Sequence, residues 1–272
     1  MGLTVHWQFE CNDKPELVSG KLELMRDKAI ALGFKEVGKV RQFIGDECEY
    51  ERYRKKDETA VWSLIQAQGS VLVDERGKVV SESHVGCCGI YVTPLHAIIL
   101  DTWPGEGCEA ANFGLVRYPE TVPFQPRSHR FVIVPTGLSV GWHWRSFCKT
   151  QYAMEGGIEN FLRCHTMVIA MLDFAKELGI LKEVYDEGHF WEKRDLQDLV
   201  REIGEWDAYI AAFAGQLQQA AEAVGLSGES AIMNRPDFEH LEAKGLETLG
   251  KVAPALQKAV DTMKTKQMEL GL

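Results

Sequence analysis

Seven residues carry the chemistry this chain is equipped to do: Glu109, Cys148 and His165 as acid, nucleophile and base, and Asn112, Arg117, Arg145 and Lys149 as ligand-binding groups. A nucleophilic cysteine needs an imidazole or cation beside it to hold it as thiolate, and Arg145, Lys149, Arg163 and His165 all lie near Cys148 in sequence. No family signature surrounds Cys148, however, and a packed thiol is the ordinary explanation for a cysteine in an apolar segment such as Cys164 beside His165. The stretch Trp103 to Gly114 gathers three glycines, two carboxylates, a thiol, an amide and two aromatic rings. Its backbone amides, with Arg117, Arg145 and Lys149, suit a small anionic molecule, for which Glu109 is the expected acid or base and Cys108 or Cys148 the outside choice of nucleophile. The plainer alternative is a tight turn with solvated charges around it. Neither a dinucleotide glycine fingerprint nor a phosphate-loop motif occurs, so no cofactor is named. Carboxylates around His189 would suit a hard divalent ion, but the plainer reading is an ordinary polar turn, and no metal site is assigned.

Two elements must position these groups, and they resemble each other. His6-Trp7-Gln8-Phe9-Glu10-Cys11 repeats the His-Trp-x-x-x-Cys spacing of His143-Trp144-Arg145-Ser146-Phe147-Cys148. The first alternates Leu3, Val5, Trp7 and Phe9 against Thr4, His6, Gln8 and Glu10, the period of a half-buried strand. Each is followed by a polar turn and a helix pattern, residues 16–32 and 158–178, the first closing at Gly33 and the second at Gly179. The second helix is apolar around much of its circumference and is expected at the centre of the fold. Return strands are expected over residues 37–43 and 182–186.

Between the copies, residues 62–73 read as a strand with a bulge at Gly69, residues 74–78 as a turn, residues 90–92 and 96–100 as strands, and residues 119–126 as a linker. Beyond them, Asp195 is placed to cap a long amphipathic helix over residues 195–224, and a last apolar stripe runs through residues 246–263. The expected architecture is α+β, a duplicated ferredoxin-like plan with a helical C-terminal extension. Its expected segments are residues 1–118, 127–225 and 226–272. One continuous mixed sheet with the copies side by side is the alternative.

A net charge of −10 speaks against bulk binding of nucleic acid or anionic lipid, which depends on clustered lysine and arginine. No apolar run is long enough to span a bilayer, and the chain is expected to be cytoplasmic. Seven dispersed cysteines suit reduced thiols. The leading functional expectation is a protein binding an anionic small molecule between the two repeats, with the sequence not separating an enzyme from a binding protein. The contrary expectation is an assembly protein, homo-oligomeric through its amphipathic C-terminal helices.

Overall fold

The computed structural model describes residues 3–50, 60–81, 87–125, 131–204, 241–243 and 245. In chain order its elements are β1 (Thr4–Cys11), α1 (Pro15–Leu32), β2 (Glu36–Val37), β3 (Arg41–Ile44), a 3₁₀ turn (Gly45–Cys48), α2 (Ala60–Gln66) and β4 (Gly69–Val73). They continue with β5 (Cys88–Val92), β6 (His96–Leu100), β7 (Thr102–Trp103), β8 (Phe113–Arg117), β9 (Thr121–Phe124), β10 (Val132–Pro135) and β11 (Trp142–Lys149). A 3₁₀ segment (Thr150–Gly156), α3 (Ile158–Glu177), β12 (Leu181–Asp186) and α4 (Phe190–Lys193) follow. The class is α+β, as the alternating strand and helix periods imply.

Six strands form one antiparallel sheet in the order β12-β1-β11-β8-β6-β3. The two His-Trp strands are its neighbours β1 and β11, paired from Thr4 opposite Lys149 to Cys11 opposite Trp142. In that register Gln8 faces Arg145, and these are also the residues at equivalent places in the repeated motif. A local two-fold relation between the paired strands therefore passes through the Gln8–Arg145 pair. The return strand that follows α3, β12, lies against β1, so β1 is inserted between β11 and β12. The segment after α1 is built differently. Its expected return strand, residues 37–43, is split: β2 pairs with β7 outside the sheet, β3 goes to the far edge beside β6, and β8 occupies the place next to β11.

Both helices form for local reasons. In α1, Pro15 starts the first turn, where a missing N–H costs nothing, and Val18, Leu22, Met25 and Ala29 are buried at alternating spacings of four and three. Gly33 ends it at φ 81°, and its N–H donates to the carbonyl of Ile30. In α3 nine residues are buried, from Phe161 to Ala175, which makes it the more enclosed helix. The core between helices and sheet contains Val5, Trp7 and Phe9, with Phe113 stacked on both rings at 5.3 and 6.2 Å. Each such side chain contributes about 1.5–3 kcal/mol by leaving water.

Two segments differ from the expectations above. Residues 60–66 are helical, with β4 starting only at Gly69; Ser63, Leu64 and Ala67 fall on one helical face and are buried, so the apolar run satisfies a 3.6 period. The stretch expected as a linker contains β9, which pairs with β10 while Val122 is buried. The chain divides into two compact units, Met1–Arg194 and Asp195–Leu272. In the second, residues 196–204 are helical, Asp195 Oδ1 accepts the N–H groups of Gln197 and Asp198, and Leu199 and Ile203 are buried. The expected remainder of that helix to residue 224, and the stripe over residues 246–263, lie outside the described residues. No described helix is long and apolar enough to cross a membrane.

A buried polar triad ties these layers together. His165 in α3 contacts Thr150 Oγ1 through Nδ1 at 2.8 Å, and its Nε2 donates to Asp186 Oδ2 at 3.3 Å; all three side chains are inaccessible to solvent. Asp186 also accepts the N–H groups of Gly188 and Trp191. Burial pushes its carboxyl up, but the hydrogen bond and charge of His165 and the two amides outweigh this and hold it below its ordinary value. A lowered folded-state value means that this stabilisation is present above the unfolded pKa, about 3.9, and is lost as pH falls through the folded one. Asp186→Asn is expected to cost about 3–5 kcal/mol at pH 7. In denaturant titrations the gap between variant and wild type should close as the pH is lowered below about 4; a gap independent of pH would refute this account.

Candidate functional site

One face of the sheet carries the helices; on the other, the alternation of β1 and β11 places His6, Gln8, Glu10, His143, Arg145 and Phe147. The end nearer His143 is overhung by the α2–β4 segment and the turn at Gly137 and Leu138. Between them lies a cleft of about 330 Å³, with Gln8, Glu10, His143 and Arg145 as its floor and Gln66, Gln68, Ser70, Tyr118 and Lys182 among its walls. A smaller cleft of about 170 Å³ adjoins it and shares Gln8 and Arg145, with His6, Glu183 and Tyr185 around it.

The charges of the larger cleft do not cancel. Glu10 Oε1 takes the Lys182 ammonium at 2.5 Å and lies 3.4 Å from His143 Nδ1. The hydrogen bond from Lys182 holds the Glu10 carboxyl below its ordinary value, against partial burial and with help from the charges of Lys182 and His143. His143 Nε2 donates to the Val140 carbonyl at 2.7 Å, which fixes the ring. The Tyr118 hydroxyl donates to the Ala67 carbonyl, and burial pushes its pKa well above the usual range, opposed by the charge of Arg145. Arg145 itself is exposed and, among the described residues, has neither an ion-pair nor a hydrogen-bond partner. Glu10 being held by Lys182, the guanidinium is the cleft charge that no described side chain pairs.

The residues singled out from sequence are spread over four other places besides this one. Glu109 and Lys149 meet at the far end of β11: Lys149 donates its N–H to Glu109 Oε2 at 3.3 Å, and its ammonium is 3.7 Å from Oε1. Four residues of extended strand, about 13 Å, separate Lys149 from Arg145. Cys148 is buried beside them, its Sγ 3.4 Å from Cys108 Sγ and donating to the Glu109 carbonyl. His165 is held by Thr150 and Asp186, in the buried triad described above. Arg117 lies over the Trp142 ring at 5.8 Å.

Asn112 is buried, with Oδ1 accepting from the Thr102 N–H and Nδ2 donating to Gln66 Oε1. It lines a separate recess of about 550 Å³ with Trp62, Trp103, Arg41 and Asp101, the last two forming an ion pair. Its hydrogen bond to Gln66 makes the partition between recess and cleft. Among the described residues no group of three metal-ligating side chains is arranged to hold an ion.

Gln8, Glu10 and His143 are not among the residues singled out from sequence, although their signal was present in the polar positions of the two alternating strands. The walls Gln66, Gln68 and Ser70 escaped because that segment reads as a strand. Asn112→Ala should leave the buried Thr102 N–H and Gln66 without partners and cost about 1–3 kcal/mol in denaturant unfolding. A loss within error of zero would mean that the partition carries no structural weight.

Comparison with known proteins leaves this geometry to be interpreted by itself: no family model, no curated protein and no solved structure matches the chain.

Proposed function

We propose that the protein binds a small anionic molecule in the cleft floored by the two His-Trp strands, with Arg145 as the principal contact. The observation that carries this reading is the guanidinium, unpaired among the described residues, on the floor of a cleft that also holds the Glu10–Lys182 ion pair, amides, hydroxyls and an imidazole. A planar guanidinium offers parallel N–H donors to a carboxylate or phosphate, and Gln8, Gln66, Gln68 and Ser70 supply neutral hydrogen-bonding groups for the rest of the ligand. Because Gln8 belongs to one repeat and Arg145 to the other, the site lies between the repeats. This fits a duplicated ferredoxin-like plan in which the first copy's return strand has been displaced.

Calorimetric titration with inorganic phosphate and with citrate tests the proposal. At least one should bind, more weakly as salt is raised. Arg145→Gln should lose tenfold or more in affinity, about 1.4 kcal/mol, with an unchanged melting temperature, while Lys149→Gln should bind like wild type. Failure of both anions to bind, or equal affinity in the Arg145 variant, would remove the assignment.

A further inference from the structure

We infer that Cys108 and Cys148 are a modification site: a thiol pair that closes to a disulfide when a hydroperoxide reaches it. Their sulfurs are 3.4 Å apart and buried, and the Cys164 thiol of α3 is buried too. A disulfide needs sulfurs about 2.05 Å apart with the two β-carbons about 3.8 Å apart, so neighbouring backbones matter more than the present thiol rotamers. Those backbones are already tied. The Glu109 N–H donates to the Lys149 carbonyl at 3.4 Å, and the Cys148 thiol donates to the Glu109 carbonyl at 3.3 Å. Gly107, at φ 70°, presses the loop against the 3₁₀ segment so closely that a β-carbon there would lie 2.4 Å from the Tyr152 carbonyl oxygen. The loop is therefore held against the 3₁₀ segment that follows β11 at a point where only glycine fits.

Cys108 is the more accessible of the pair, 6% exposed against none for Cys148, and is the entry point for the oxidant. Its thiolate attacks one peroxide oxygen, the O–O bond breaks, and with hydrogen peroxide one water leaves as Cys108 becomes a sulfenic acid. The Cys148 sulfur then attacks the Cys108 sulfur, the S–O bond breaks, and a second water leaves. Two thiols and one hydrogen peroxide give one disulfide and two waters, the two electrons passing from sulfur to peroxide. The hydrogen bond with Cys148, and burial with it, push the Cys108 thiol's pKa well above its ordinary value, so the reaction accelerates as pH rises. The product ties the loop carrying Ala110 and Asn112 to β11 and so immobilises one wall of the 550 Å³ recess.

The test treats the folded protein with hydrogen peroxide, alkylates remaining thiols, digests it without reductant at low pH and maps the linked peptides by mass spectrometry. The expected result is a Cys108–Cys148 linked species that forms faster at about pH 9 than at about pH 7, disappears with dithiothreitol, and is absent from Cys108→Ser and Cys148→Ser. The wild-type map is decisive even where a variant fails to fold. Absence of that species once the exposed Cys88 is fully oxidised, or a Cys108 linked only to Cys164, overturns the inference.

Discussion

The pairing of β1 with β11 is the constraint on which the rest of this fold depends. It joins segments some 140 residues apart in the chain and at the same time places β1 against β12, so one strand supplies partners to two others. Without it both neighbours would present unpaired backbone groups. Its register is held by side-chain alternation: a slip of one residue would turn Val5, Trp7 and Phe9 toward solvent and bury His6, Gln8 and Glu10 in their place. Stacking of Phe113 on Trp7 and Phe9 adds a third strand to the same decision.

The buried triad reinforces that arrangement with directional bonds where apolar packing is indifferent to angle. Thr150 follows β11, His165 lies within α3, and Asp186 ends β12, so one imidazole fixes the geometry of an entire strand-helix-strand unit. No described cleft includes its groups among its lining residues. Their complete burial gives them a positional role: a carboxylate in the interior is tolerable because an imidazole and two amides replace the water it lost.

β11 also shows how one strand serves two sites of opposite character. Arg145 points to the open face and to solvent; Cys148, three residues on, faces inward and is buried among thiols. Strand geometry alone produces this division, since residues an odd number apart face opposite ways. Candidates that are close in sequence are thereby separated: Arg145 belongs to the cleft, Cys148 to the thiol cluster, and Lys149 to an ion pair with Glu109.

By itself the sequence determined the elements whose signals are local. The alternation of Leu3 to Glu10 made a strand, the apolar spacings of α1 and α3 made helices, Pro15 and Gly33 marked the ends of one of them, and Asp195 capped the helical turns after it. It was ambiguous where an apolar run is short, because about seven or eight residues fit a strand or a buried helix almost equally; residues 60–66 became helical through the packing of Ser63, Leu64 and Ala67. Only the tertiary structure decided which strand β2 and β3 would join, which walls close over Arg145, and that Cys148 would meet Cys108 instead of His165. Those outcomes depend on register and packing between residues tens of positions apart, and a local period carries no record of them.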